Sequence, residues 1–422
     1  MQAPMWKRVR DGVRIIWLAA FGLGLAAVAP AVTWTNISTY AVPTAGSFPA
    51  GITAGPDATL WFAEYEYNKS ASGRIKAVGV VTEYALPSVG SQPQGITAGP
   101  DGALWFTEYN ASKIGRITTT GLITEYTVPT AISGPYGITT GPDGALWFTE
   151  QDGNKIGRIT VTGVIQEYPL PTRGSYPVEI TAGPDGALWF TEFIGKIGRI
   201  TTAGMITEYA VPTEDSGAEG IAAGPDDALW FTEQDGNKIG RITTAGAITE
   251  YPVPTADSEP TGIAKGPDGA LWFTEFAADN IGRMVTTGVI TEYPVPTMAS
   301  GPNGITAGPN HDLWFTEFYG NDVASSPACG LGLSASFAED TLTINFNLGT
   351  STAANWYVSL SSTGGGTQLW SKWIPAVVPT ASFTSIIGPG FPDLGKVEIT
   401  SGLWKVPEGG LCYETVRVFA GH

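Results

Sequence analysis

A chain of 422 residues with 55 Gly, 31 Pro, 14 Trp and only 14% charged residues is rich in turn formers and aromatics. That balance excludes helix-rich and coiled-coil classes, which tolerate few breakers. The 43% hydrophobic content excludes a disordered chain, which lacks the apolar surface for a core. The net charge of −17 excludes nucleic acid as a partner, since phosphates ask for a basic surface, and leaves room for cation binding. His311 and His422 are the two histidines, and Cys329 and Cys412 the two cysteines. A zinc site of several His or Cys therefore cannot be built within one chain unless carboxylates dominate it, and a Ser-His-Asp triad would have to use one of those two imidazoles.

At the N-terminus, Lys7, Arg8, Arg10 and Arg14 form a basic segment diluted by Asp11, and an apolar run follows from Ile15 to Ala29. Ala29-Pro30-Ala31 then offers a small-x-small cleavage site, so residues 1–31 read as a secretory signal peptide. The alternative is an uncleaved membrane anchor, but the run of 15 residues falls short of the roughly 20 that span a bilayer. The expected location is secreted or periplasmic, with the membrane engaged only through this signal.

A repeat follows. Leu-Trp-Phe recurs with its Trp at 61, 105, 147, 189, 230, 272 and 314, at intervals of 41 to 44 residues. Residues 137–171 are typical: Gly-Ile-Thr, Ala-Leu-Trp-Phe-Thr-Glu, Lys-Ile-Gly-Arg-Ile-Thr and Val-Ile-Gln-Glu-Tyr-Pro-Leu are four short apolar segments. Gly141-Pro142-Asp143-Gly144, Asp152-Gly153-Asn154 and Thr162-Gly163 are the turns between them. Four antiparallel strands, A to D, in about 42 residues mark a β-propeller blade. The unit around Trp314 lacks strand D, while Ser38-Thr39-Tyr40-Ala41-Val42-Pro43 is a strand D without a unit. The sequence thus predicts an all-β fold: a seven-bladed propeller over 32–324, closed by the N-terminal strand. The Trp residues are expected to pack between blades and Gly-Pro-Asp-Gly to serve as turn chemistry.

Ser325-Ser326-Pro327 reads as a joint, giving a linker over 325–328. From 329 to 422 the repeat is gone, and period-two alternation in Thr341–Leu348 and Trp356–Leu360 suggests a small β-sandwich-like domain. Trp356, Trp370, Trp373 and Trp404 suit its core or, alternatively, a ligand platform. Export makes a Cys329–Cys412 disulfide reasonable.

The blade text closely resembles the virginiamycin B lyase (streptogramin B lyase) family across residues 36–324. The resemblance implies a seven-bladed propeller and, for the true lyases, a magnesium-assisted elimination that opens the ester ring of a cyclic depsipeptide without water. A base removes the proton α to the ester carbonyl, a divalent ion stabilises the enolate and an acid assists the departing oxygen. It further implies a His immediately before the residue that opens strand A in late blades. A Glu two residues before that His and another ending strand B belong to the same site.

The start of strand A and the end of strand B share one end of a hairpin. The strand-B acids are Glu64, Glu108, Glu150, Glu192, Glu233, Glu275 and Glu317, expected to ring one face or, as scaffold, to pair across hairpins, Glu150 with Lys155 or Arg158. The His positions hold Ala50, Gln94, Tyr136, Val178, Glu219, Thr261 and Asn303. Glu259 and Glu275 match the family's acids and are the candidate Mg2+ ligands, while Thr261 replaces the imidazole and cannot titrate near neutrality. Glu219 is the candidate general base. His311 lies in an A–B turn, at the opposite end from Glu317.

Two functions stay open. One is a non-catalytic propeller that binds a small molecule or an extracellular partner on its acidic face, with the C-terminal domain for adhesion or spacing. The other is a Mg2+-dependent C–O lyase with a base other than His.

Overall fold

The computed structural model describes residues 37–65, 71–75, 80–309 and 312–327, and strands between 334 and 418. The segment 1–31 read as a signal peptide, His311, His422 and the expected Cys329–Cys412 disulfide lie outside the described residues. Among those described, every regular element is a strand, and no helix is long and apolar enough to cross a membrane.

Among the described residues the first strand is β1 (Ser38–Ala41). Six four-stranded antiparallel sheets follow, each built from consecutive strands. The first holds β2 (Pro49–Ala54), β3 (Leu60–Glu64), β4 (Ala71–Ile75) and β5 (Val81–Ala85). The second holds β6 (Pro93–Ala98), β7 (Leu104–Glu108), β8 (Lys113–Ile117) and β9 (Ile123–Thr127). The third holds β10 (Pro135–Thr140), β11 (Leu146–Glu150), β12 (Lys155–Ile159) and β13 (Ile165–Pro169). The fourth holds β14 (Pro177–Ala182), β15 (Leu188–Glu192), β16 (Lys196–Ile200) and β17 (Ile206–Ala210). The fifth holds β18 (Ala218–Ala223), β19 (Ala228–Glu233), β20 (Lys238–Thr243) and β21 (Ile248–Pro252). The sixth holds β22 (Pro260–Lys265), β23 (Leu271–Glu275), β24 (Asn280–Met284) and β25 (Ile290–Pro294).

A further sheet is composite. β26 (Pro302–Ala307), β27 (Asp312–Glu317) and β28 (Asp322–Pro327) take β1 as their outer strand, with Tyr40 opposite Val323 and Ser38 opposite Ser325. Ser325, Ser326 and Pro327, read from the sequence as a joint, are the end of β28, where Ser326 faces Leu313 and Pro327 faces Asp312. Backbone pairing overrides their weak strand propensity. The inner strands β2, β6, β10, β14, β18, β22 and β26 are neighbours in turn, and β26 also lies beside β2. This is a β-propeller arrangement.

Packing between sheets explains the repeated residues. Trp61, fully buried, shares a cluster with Ile96, Leu104 and Phe106 of the next sheet. Each such Trp stacks on a Tyr of its own outer strand, as Trp147 does on Tyr168 at 5.6 Å. Gly-Pro-Asp-Gly does more than turn: Asp143 accepts from Trp147 Nε1 at 3.0 Å and from Arg158 Nε at 2.7 Å, and the guanidinium lies over the indole. Gly141 is required there, because a Cβ would meet Trp147 Cδ1 at 2.4 Å.

Farther along, β29 (Ser334–Ala338), β30 (Thr341–Asn347) and β33 (Thr380–Ile386) form a three-stranded sheet. β31 (Asn355–Ser362), β32 (Gln368–Pro375), β34 (Val397–Trp404) and β35 (Leu411–Val418) form a four-stranded one, in the order β32-β31-β34-β35. The two alternating stretches read from the sequence thus fall in β30 and β31.

Candidate functional site

Each inner strand carries the same irregularity. In β18, Ala218 pairs with Glu233 and Ile221 with Phe231, so Glu219 and Gly220 together oppose one residue of β19. Such a bulge re-aims the extra side chain. Here it turns the residue after Pro (or Ala218) toward the hub, where a cavity of about 150 Å³ lies. Gln94, Tyr136, Glu179, Glu219, Thr261 and Asn303 supply its polar lining. Five of the seven residues at the family's His position therefore share one space. The other two, Ala50 and Val178, are buried and do not line it.

A threonine in the neighbouring strand holds six of the seven bulges, β3 having Ala63 at that place. Thr232 Oγ1 accepts from Gly220 N at 2.8 Å and donates to the carbonyl of Thr261 in the next sheet at 2.6 Å. Thr107, Thr149, Thr191 and Thr274 bridge their neighbours in the same way. Thr316 carries the series from β26 to Ala50 in β2, at 2.7 Å from its carbonyl.

Glu219 projects into the cavity. Burial, then the charges of Glu179, Asp235 and Glu259, pushes its carboxyl up to about 8. Glu179 is pushed up to about 7 by burial, partly offset by a hydrogen bond from the Ile180 N–H. The Tyr136 phenol is raised well above its ordinary value, first by burial and then by Glu219 and Glu179. Such shifts gather at functional sites, and a carboxyl poised near neutrality can serve as acid or base.

Thr261 is 3% exposed, and its hydroxyl shares a hydrogen bond of 2.8 Å with Thr274 Oγ1. Glu259 and Glu275 do not line the cavity. Glu259 is exposed, with φ of +50°, and its carbonyl accepts from Phe276 N at 3.1 Å. Glu275 is fully buried; its Oε2 accepts from Asn280 Nδ2 at 3.2 Å, and its Oε1 has no hydrogen-bond partner. Burial and then Glu292 push Glu275 up to about 8, whereas the charge of Glu259 acts on Glu219. Magnesium keeps near-octahedral oxygen geometry. Among the described residues no group of three or more His, Cys, Asp or Glu converges on a point. One exposed carboxylate and one orphaned buried oxygen are too small a donor set for that ion.

The strand-B acids do not form an accessible ring. Glu64 is 1% exposed and the others are 0% exposed. Glu150 does not pair with Lys155 or Arg158. Lys155 is taken by Glu167 at 3.0 Å, and Arg158 by Asp143 at 2.7 Å. Glu150 stays buried beside Glu167, which together with burial pushes it up to about 8.

The sequence reading passed over Glu179. Its signal was available: Gly51, Gly95, Gly137, Gly220, Gly262 and Gly304 hold the same place in the other units. An aromatic cluster was also missed. Phe318 lies 5.1 Å from Phe48, 5.9 Å from Tyr65 and 6.1 Å from Phe276, ring centre to ring centre. Tyr65, Phe276 and Phe318 each follow a strand-B Glu, which is how the text could have revealed them.

A family model described as Virginiamycin B lyase family matches residues 24–195 and 139–331. No curated protein sequence matches. Among solved structures, virginiamycin B lyase from Staphylococcus aureus is 45% identical, over 69% of this chain and 98% of its own, with a TM-score of 0.66. A streptogramin B lyase is 40% identical, over 70% of this chain and 98% of its own, with a TM-score of 0.67. A catalytically inactive His-to-Ala variant of the Staphylococcus aureus enzyme, with quinupristin, is 46% identical over 69% of this chain and 98% of its own, with a TM-score of 0.66.

Proposed function

Because the chain belongs to the virginiamycin B lyase family, we propose that it is a secreted, seven-bladed member that binds a small molecule at the hub and lacks the family's catalytic imidazole. The composite sheet is its seventh blade, closed by the N-terminal strand, and the C-terminal sheets form a sandwich-like adhesion or spacer domain stapled by Cys329–Cys412.

One observation carries this reading. At the family's His position closest to matching acids stands Thr261, whose hydroxyl is engaged with Thr274. A hydroxyl of that kind does not take a proton near neutral pH. The Staphylococcus aureus variant supports the same view, being catalytically inactive after loss of one His and yet obtained with quinupristin.

The test is direct. Purified protein with Mg2+ and a streptogramin B should show no ring-opening by chromatography, while quinupristin should bind in calorimetry. The second reading, a magnesium-dependent lyase using Glu219 as base, draws on the near-neutral carboxyl in the cavity. Robust turnover that is lost in Glu219→Gln would establish it in place of the first.

A further inference from the structure

Six inner strands place Gly after the bulge residue, and β14 alone places Glu179 there. The Glu179 side chain leans toward the neighbouring sheet, its Oε2 only 2.8 Å from where a Cβ on Gly137 would stand. Gly137 leaves it that room, beside Tyr136. Glu219, one strand further round, projects into the same cavity.

Both carboxyls are short of partners. Each is partly exposed at the cavity wall; Glu179 takes a hydrogen bond from Ile180 N, and the neighbouring charges acting on Glu219 are the acids Glu179, Asp235 and Glu259. No Lys or Arg is among the described residues lining the cavity. An anion partly withdrawn from water without a counter-charge is costly, and a cation entering the cavity relieves that cost.

We propose that the hub cavity binds the ammonium group of an organic amine, held between Glu179 and Glu219. This deepens, and rests on, the binding-protein reading. An ammonium offers three hydrogen-bond donors. Glu179 and Glu219 accept two, and the side-chain oxygen of Thr261 or Asn303 on the same wall accepts the third. A divalent metal would ask for more oxygens than this pair supplies. The volume of about 150 Å³ equals roughly five waters, enough for an ammonium and a short alkyl arm. The Tyr136 ring offers that arm an apolar, cation-attracting surface.

The full-length mature protein would be titrated calorimetrically with n-butylammonium chloride at pH 8.5 and low salt. 1-Butanol serves as the neutral isostere and MgCl2 as a competitor. Butylammonium should bind one per chain, and butanol should show no binding at the same concentrations. Glu219→Gln and Glu179→Gly should each weaken binding at least about tenfold, the scale of a charged hydrogen bond. Glu179→Gly restores the residue of the other six units, and thermal melts would verify that both variants fold. Equal binding of butanol, unchanged affinity in both folded variants, or displacement by stoichiometric Mg2+ would each overturn the proposal. Ring-opening of a streptogramin B would overturn the non-catalytic reading instead, and leaves the amine result standing.

Discussion

Thr261, the residue the sequence aligns with the family's His, joins Thr274 hydroxyl to hydroxyl at 2.8 Å across the β22–β23 hairpin. Thr274 also accepts from Gly262 N and donates to the carbonyl of Asn303. The hydroxyl of Thr261 is thus absorbed into the framework that holds the hub together.

Thr261→His places an imidazole on the cavity wall, one strand from Glu219. General acid–base groups contribute roughly 10²–10⁴-fold. Because the acids that would hold Mg2+ do not converge either, this variant alone should still show no ring-opening of a streptogramin B with Mg2+, measured by chromatography of the linear product. A gain of about tenfold or more in the folded variant would mean that only the base is missing and would overturn the finding that the acids are too few for the ion.

Glu150 makes stability depend on pH. Its carboxyl is raised to about 8 in the folded chain, so folding binds a proton above the ordinary carboxyl range. The stabilisation is complete below about 4.5 and is lost as pH rises through about 8. Glu167 runs the other way: it is lowered by the Thr130 and Lys155 hydrogen bonds, so its contribution is lost on acidification. Glu150→Gln keeps the shape and removes the titration. Its melting temperature should exceed wild type by about 2–6 °C at pH 8.5 and match it near pH 5. Equal offsets at both pH values would show that Glu150 is not the proton acceptor.

Tyr40 tests whether the first strand matters to the ring. Its ring stacks on Trp314 at 5.3 Å, and just beyond it Thr44 donates to Glu83 of the first sheet through both N and Oγ1. Tyr40→Ala should cost about 3 kcal/mol, the scale of a large aromatic truncation, and lower the melting temperature by several degrees. An unchanged melt would mean that β1 contributes nothing to holding β28 in place.

The fold was legible because the repeat is written in residues with strict local duties: Pro and Gly at turns, and Trp and Tyr at stacking positions. The seven residues aligned with the family's His fall at the bulges of the inner strands, a feature the text does not announce. The burial of the strand-B acids was not legible. Glu150 is followed by Gln151 and Asp152 in the text and looks solvated, yet strand pairing carries it inside while Lys155 turns outward to Glu167. Glu179 was missed for a different reason. Attention fell on the residue that should be His, and the informative anomaly was a side chain standing where the other units have none. Glu259 and Glu275 were singled out because they match the family's two acids, but adjacent strand ends do not make side chains converge.

Thr191 ties the two proposed amine-binding strands together. Its hydroxyl accepts from Glu179 N at 3.1 Å and donates to the carbonyl of Glu219. Thr316 does the same between β26 and β2, at the Gly304 N–H and the Ala50 carbonyl, where no acidic residue stands. Thr191→Val and Thr316→Val each leave a buried carbonyl unpaired, at about 1–3 kcal/mol, and should lower the melting temperature alike. Only Thr191→Val should weaken butylammonium binding, because only there does the freed backbone carry the carboxyls. Thr191→Ser keeps both hydrogen bonds and should restore affinity to near wild type. Equal loss of amine affinity in Thr191→Val and Thr316→Val would reduce the threonines to general stability and separate the cavity from this bridge.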